Sequence, residues 1–186
     1  MPLISTLANA SARGYGAFGG VAASTTSYES IATVNASSAS AVTFSSIVGT
    51  YSHLQVRIST LTSTGTSIQL QSNLGLGTNS HQLLGNGSAA SARNSGVGTY
   101  GVYIPSDTGI ATGGSAPCVA IIDLLDYANT NKNKTVRSLY GAEDNSSGVV
   151  MFNSAFWNST SAITSLTFTP NSGTVTGKFA LYGIKG

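Results

Sequence analysis

Two histidines, His53 and His81, one cysteine, Cys118, and six carboxylates are the side chains of this chain that could carry proton transfer, nucleophilic attack or metal ligation. A Ser-His-acid arrangement needs a serine on a sharp, strained turn, and no serine here lies in a Gly-x-Ser-x-Gly elbow. His53 opens an alternating run and is expected to face solvent, while His81 sits among glycines where a surface or interface role is expected. Zinc would have to draw on two distant histidines and on Cys118, which lies inside an apolar run, so Cys118 reads as core and no metal site is expected. Asp123 and Asp126 are three apart, and Glu143 and Asp144 are adjacent; such pairs can serve glycoside hydrolysis or bind calcium. The Glu143-Asp144 segment lacks the ligand spacing of a calcium loop, and acids at turns more often meet backbone amides or bases such as Lys134 and Arg137. Gly14 to Gly19 matches GxGxxG formally, without the flanking strand and helix that make the string a dinucleotide site. No catalytic residue and no cofactor is therefore expected.

The wider composition points the same way. Of 186 residues only 8 are Lys or Arg and 6 Asp or Glu, or 8% charged, against about 25% in an ordinary soluble domain. Ser, Thr, Asn and Gly take their place and make up nearly half the chain. A net charge of +2 spread over scattered bases cannot neutralise several phosphates at once, so nucleic acid is not an expected partner. No apolar run approaches the roughly 20 residues of a membrane-spanning helix, and the N-terminal residues lack the basic start of a secretory signal. One cysteine rules out an intrachain disulfide. Six Asn-x-Ser/Thr sequons, beginning at Asn9, Asn35, Asn86, Asn133, Asn145 and Asn158, follow from composition and carry no inference of glycosylation.

The elements that would position these residues divide into an arm and a body. Residues 1–27 are poor in large apolar side chains and have no period of 3.6 or 2, so they cannot build a core and would order only against a partner. Arg13, Tyr15 and Phe18 alternate there with small residues, as an extended strand would offer anchors to a neighbour. From Tyr28 to Gly186 short runs rich in β-branched and aromatic residues alternate with Gly, Ser, Asn and Asp clusters, the signature of strands. Ten are expected: 28–34, 41–44, 53–61, 67–74, 99–104, 118–124, 135–140, 148–157, 163–169 and 178–184. Leu54, Val56 and Ile58 must share a buried face opposite His53, Gln55 and Arg57. Cys118 to Ile122 is apolar throughout and reads as a central strand covered on both sides. Residues 75–98 read as a long loop, and 124–131 as at most a turn of helix. The fold expected is all-β: a jelly-roll-like antiparallel sandwich with an extended N-terminal arm. Tyr100, Tyr103, Tyr127, Tyr140, Phe156 and Trp157 are candidates for stacking on sugar rings, weighed against plain core packing.

Several blocks then resemble a known family. These are Tyr28 to Val34, His53 to Arg57, Ile122 to Lys132, Lys134 to Leu139 and Phe179 to Gly186, with Asn9 to Gly16 at the start. In this order they are similar to small virion structural or tail-fibre proteins of tailed phages, of the cyanophage and marine-phage kind. The resemblance implies a non-enzymatic particle component, made in the host cytoplasm, located on the virion and repeated by symmetry, with a homotrimer expected by analogy with phage fibres. Its implied partners are copies of itself, other virion proteins of tail, baseplate or shell, and a host-surface glycan. A capsid decoration protein clamping the shell is the alternative, and a glycan-active enzyme a more distant one.

Overall fold

The computed structural model describes residues 27–65, 67–76, 78–86, 89–95, 102–104, 118–142 and 148–185. The expected arm, with Arg13, Tyr15 and Phe18, lies outside the described residues, as do Glu143, Asp144 and Tyr100. No helix occurs among the described residues; in the 124–131 segment Leu124 and Leu125 end a strand and a turn begins at Asp126.

The body is an antiparallel β-sandwich. Its strands are β1 (Tyr28–Ala39), β2 (Val42–Phe44), β3 (His53–Ser63), β4 (Ile68–Ser72), β5 (Gly75–Leu76), β6 (Thr78–Asn86), β7 (Ala89–Ser95), β8 (Val102–Ile104), β9 (Cys118–Leu125), β10 (Lys134–Ala142), β11 (Val149–Trp157), β12 (Leu166–Pro170) and β13 (Val175–Ile184). The larger sheet runs β1-β13-β3-β9-β10-β11-β6-β7, and the smaller runs β2-β12-β4-β5 with β8 also on β4. In both sheets the chain order is nested alike. β1, β13 and β3 lie side by side in one sheet, and their continuations β2, β12 and β4 lie side by side in the other. Three ribbons thus fold over a common corner, the jelly-roll-like wrapping.

That corner is cut by a line of register breaks. β1 slips between Ala36 and Ala39, β13 between Thr176 and Lys178, and β3 between Ile58 and Leu61. Ser38 and Thr60 take positive φ of 47° and 53° on this line, and Gly177 takes 158°. A Cβ on Gly177 would stand 3.2 Å from the Leu61 Cα and 3.3 Å from the Ser59 carbonyl oxygen, so a larger residue would have to push the β3 backbone back by a few tenths of an ångström.

Alternation along each strand builds the core. Leu54, Val56, Ile58, Ile122, Leu124, Val136, Tyr140, Met151, Trp157, Phe179 and Leu181 are buried on the larger sheet, with Ile68, Leu70, Leu166 and Phe168 on the smaller. Phe168 meets the Phe44 ring edge-on at 6.4 Å and the Phe179 ring at 5.4 Å, joining the layers.

Two expectations need correction. The segment read as a loop over 75–98 contains β5, β6 and β7, and β6 and β7 pair in register from Ser80 with Ser95 to Asn86 with Ala89. Their weak strand signal comes from Ser, Asn, Ala and Gly, residues with little side chain to pack on a pleated surface. The strand read as covered on both sides, β9, is covered on one: Cys118, Ala120, Ile122 and Leu124 are buried, whereas Val119 is 55% exposed and Ile121 42%.

Candidate interaction face

The outward face of the larger sheet carries three parallel rows of side chains, each set by strand register. The first row is polar. It passes from His81 on β6 to Ser154 on β11, Arg137 on β10, Asp123 on β9, Gln55 on β3 and Tyr182 on β13. The second is apolar: Leu83, Phe152, Leu139 and Ile121 stand next to one another on β6, β11, β10 and β9, and Arg57 on β3 ends the line. The third alternates small and branched residues, as Gly85, Val150, Gly141 and Val119.

The polar row is internally satisfied. Gln55 Nε2 donates to Asp123 Oδ1 at 2.7 Å, Arg137 Nε donates to Asp123 Oδ2 at 3.1 Å, and Arg57 Nε donates to Gln55 Oε1 at 2.7 Å. Gln55, expected on the wet face, is buried by these neighbours. Arg57 lies between two rings, its Cζ 5.2 Å from the Tyr28 centroid and 4.9 Å from that of Tyr182. Both oxygens of Asp123 are engaged, so this carboxylate offers no free base to a substrate.

Asp126 turns to a different set of partners at the end of β9, where its φ is 52°. Lys132 Nζ donates to its Oδ2 at 2.6 Å, and this bond is the chief reason its carboxyl is held below the usual range. His53 Nδ1 accepts the Asp126 backbone N–H at 3.0 Å and lies 3.8 Å from the carboxylate. His53 is therefore half-buried and serves the turn instead of facing solvent. The buried Lys134 closes the same turn, its Nζ donating to the carbonyls of Asn129, Lys132 (2.8 Å) and Thr160 (3.0 Å), and burial pushes its ammonium down in pKa. The two acids thus meet bases, Asp123 the Arg137 side chain and Asp126 that of Lys132, while Lys134 is taken up by carbonyls.

The remaining sequence candidates fall in the core or at the edge. Cys118 is buried and accepts from the Tyr140 hydroxyl at 2.8 Å; burial raises both groups, the phenol far above its ordinary value. Tyr127, Tyr140 and Trp157 are buried, with the Trp157 indole N–H on the Gly75 carbonyl at 2.9 Å, so none forms a sugar platform. Phe156 is half-buried, His81 is exposed on β6, and Tyr103 lies on β8. Among the described residues no group of three or more His, Cys, Asp or Glu could hold a metal ion.

What the face adds is an apolar patch absent from the sequence reading. Leu83 and Phe152 are each 54% exposed, with Val119, Ile121, Leu139 and Val150 beside them. Phe152 stands between two shallow depressions of about 310 Å³ and about 300 Å³, one reaching Asp123 and Arg137 and the other His81 and Ser154. A signal was present: Val149-Val150-Met151-Phe152 is apolar at both parities, as Cys118 to Ile122 is, and such runs leave one apolar face uncovered wherever a sheet has a single partner layer. No protein-family model, curated protein or solved structure matches the chain.

Proposed function

We propose that this chain is a non-enzymatic structural component of a tailed-phage particle, a tail-fibre or fibre-associated protein that works by packing against copies of itself and against other virion proteins, with residues 1–27 as its attachment segment. The single observation behind this reading is the exposed apolar patch of Leu83, Val119, Ile121, Leu139, Val150 and Phe152 on a domain that is otherwise neutral and polar. Contiguous apolar patches of this kind mark interaction surfaces. The surrounding Ser, Thr, Asn and Gly lose little side-chain entropy and no ion hydration when covered, in contrast to Lys, Arg or Glu. The engaged state of Asp123 and Asp126 supports a structural role over glycan hydrolysis, which needs two acids free to face one bond.

Purified particles of the encoding phage, separated on a quantified gel, test the assignment. The chain is expected at tens of copies per particle, as fibre symmetry requires. Hundreds of copies would move it to the shell as a decoration protein, and its absence from washed particles would overturn the structural reading.

A further inference from the structure

We propose that two copies of this chain pack outward face to outward face, with the ridge Leu83-Phe152-Leu139-Ile121 of each lying over the glycine-bearing row Gly85-Val150-Gly141-Val119 of the other. This rests on the reading of the chain as a self-assembling component, and it names the surface and the occupant.

The argument begins from the two rows as shapes. Residues two apart on a strand stand about 7 Å apart on the same face, so the bulky row and the glycine row run side by side at that spacing. Leu83 neighbours Gly85 along β6, and Leu139 neighbours Gly141 along β10. The glycine row is open. A Cβ built on Gly85 meets nothing within 4 Å, and one on Gly141 meets only the Val119 Cγ2 at 3.8 Å. The glycine row dips at Gly85 and Gly141 and rises at Val150 and Val119, so it receives Leu83 and Leu139 of a facing ridge in its dips and meets Phe152 and Ile121 with its valines. A two-fold axis lying between the rows puts each ridge over the partner's trough, with Leu83 above Gly85 and Leu139 above Gly141. Strands of the two sheets then run nearly antiparallel, the aligned packing that twisted sheets favour.

Area and charge favour this occupant. With exposures from 40% for Leu139 to 55% for Val119, the six side chains present roughly 500 Å² of apolar surface, at the upper end of what a monomer leaves open. A standard interface covers about 800 Å² on each partner, somewhat under two-thirds of it apolar, so the patch supplies the apolar centre of one such interface. Its nearest charges are already engaged within the chain: Asp123 pairs with Arg137 in the row beyond the ridge, where an interface rim belongs, and Arg57, at the end of the ridge beside Ile121, donates to Gln55 and lies between the Tyr28 and Tyr182 rings. A glycan would need free hydrogen-bonding groups around an aromatic platform; the neighbours of Phe152 across the strands are Leu83 and Leu139, and the Asp123 and Arg137 side chains in the depression beside it are bonded to each other.

Light scattering on the full chain after size exclusion tests the pairing. The wild-type protein is expected at twice the chain mass of 18.8 kDa. Phe152→Glu, which places a charge in the ridge, and Gly141→Leu, which fills the trough without touching the core, are each expected to halve that mass while far-UV circular dichroism and the emission of buried Trp157 stay unchanged. Val48→Ser, at an exposed apolar residue outside the patch, is expected to remain paired. A wild-type monomer, a mass of three copies, or an unaltered dimer in the Gly141→Leu variant overturns the proposal. Mass in solution and presence in purified particles are separate readouts, so failure of the pairing is distinguishable from failure of the particle assignment.

Discussion

Gly183 shows how a single atom constrains this fold. A Cβ there would stand 2.3 Å from the Tyr51 Cδ1 and 2.4 Å from its Cγ, so the tyrosine ring lies flat on the bare backbone of β13. Tyr51 is held in place as well, its backbone N–H donating to the Tyr127 hydroxyl at 3.4 Å. Gly183→Ala is therefore expected to cost about 1–3 kcal/mol, the usual range for forcing extra volume into a packed site, with the ring displaced. Urea denaturation reads the loss. In Tyr51→Ala the same glycine change should cost little, and additive losses would show that the ring contact is not the cause. A second residue-scale effect concerns pH. Burial raises the Tyr140 phenol far above its ordinary 10.0 and the Cys118 thiol above 9.0. The unfolded chain releases these protons first, so the stability they contribute is complete below the ordinary values and is lost as pH rises beyond them. Stability measured by urea is expected to hold to about pH 9 and then fall, each group adding a slope of about 1.4 kcal/mol per pH unit. Tyr140→Phe should make the decline above about pH 10 shallower by one such group; an identical slope would remove Tyr140 from the account.

Among the elements, the turn from Asp126 to Asn133 depends on one lysine. Lys134 starts β10 and sends its buried ammonium back to three carbonyls, from Asn129, Lys132 and Thr160. Lys134→Met keeps the length of the side chain and removes the donors, leaving three part-buried carbonyls without the charged donor they share. A loss of about 2 kcal/mol or more is expected by urea denaturation, and a change within about 0.5 kcal/mol, the range of an ordinary surface substitution, would show that water replaces the ammonium. Lysine in this role was not legible in the sequence, because its partners are backbone carbonyls and one of them, that of Thr160, comes from a separate stretch of chain. β3 was legible, since Leu54, Val56 and Ile58 alternate with polar residues and the buried face follows directly. β6 and β7 were not, although Asn86-Gly87 is a strong hairpin signal between them, because the flanking residues are mostly Ser, Asn, Ala and Gly and show little apolar alternation. The Tyr28-Arg57-Tyr182 sandwich was equally hidden: it exists only because β13 inserts between β1 and β3, and register across distant strands is not written in local composition. It joins three stretches, 28–34, 53–57 and 179–186, that the sequence shows only as separate strings.

At the scale of the whole molecule, the scarcity of charge and the apolar patch meet in one measurable property. If the pairing of outward faces is held by Leu83, Phe152, Leu139 and Ile121, salt has little to screen, since Asp123 and Arg137 pair within each copy at 3.1 Å and Arg57, at the end of the ridge, is held between the Tyr28 and Tyr182 rings. Exposed ion pairs weaken as the Debye length shrinks from about 14 Å at 0.05 M to about 3 Å at 1 M salt. Apolar burial does not, and excluded salts such as sulfate strengthen it. The dissociation constant of the pair, measured by sedimentation, is therefore expected to change less than about threefold in sodium chloride across that range and to tighten in sodium sulfate. A tenfold weakening in chloride would transfer the association to the polar row, with Arg137 of one copy reaching Asp123 of the other. The same neutrality predicts that the protein passes a heparin column near physiological salt, because a net charge of +2 from scattered bases provides no cluster for a polyanion. Retention there would mean that the described body is not the whole binding surface, and would point to Arg13 and the segment around it.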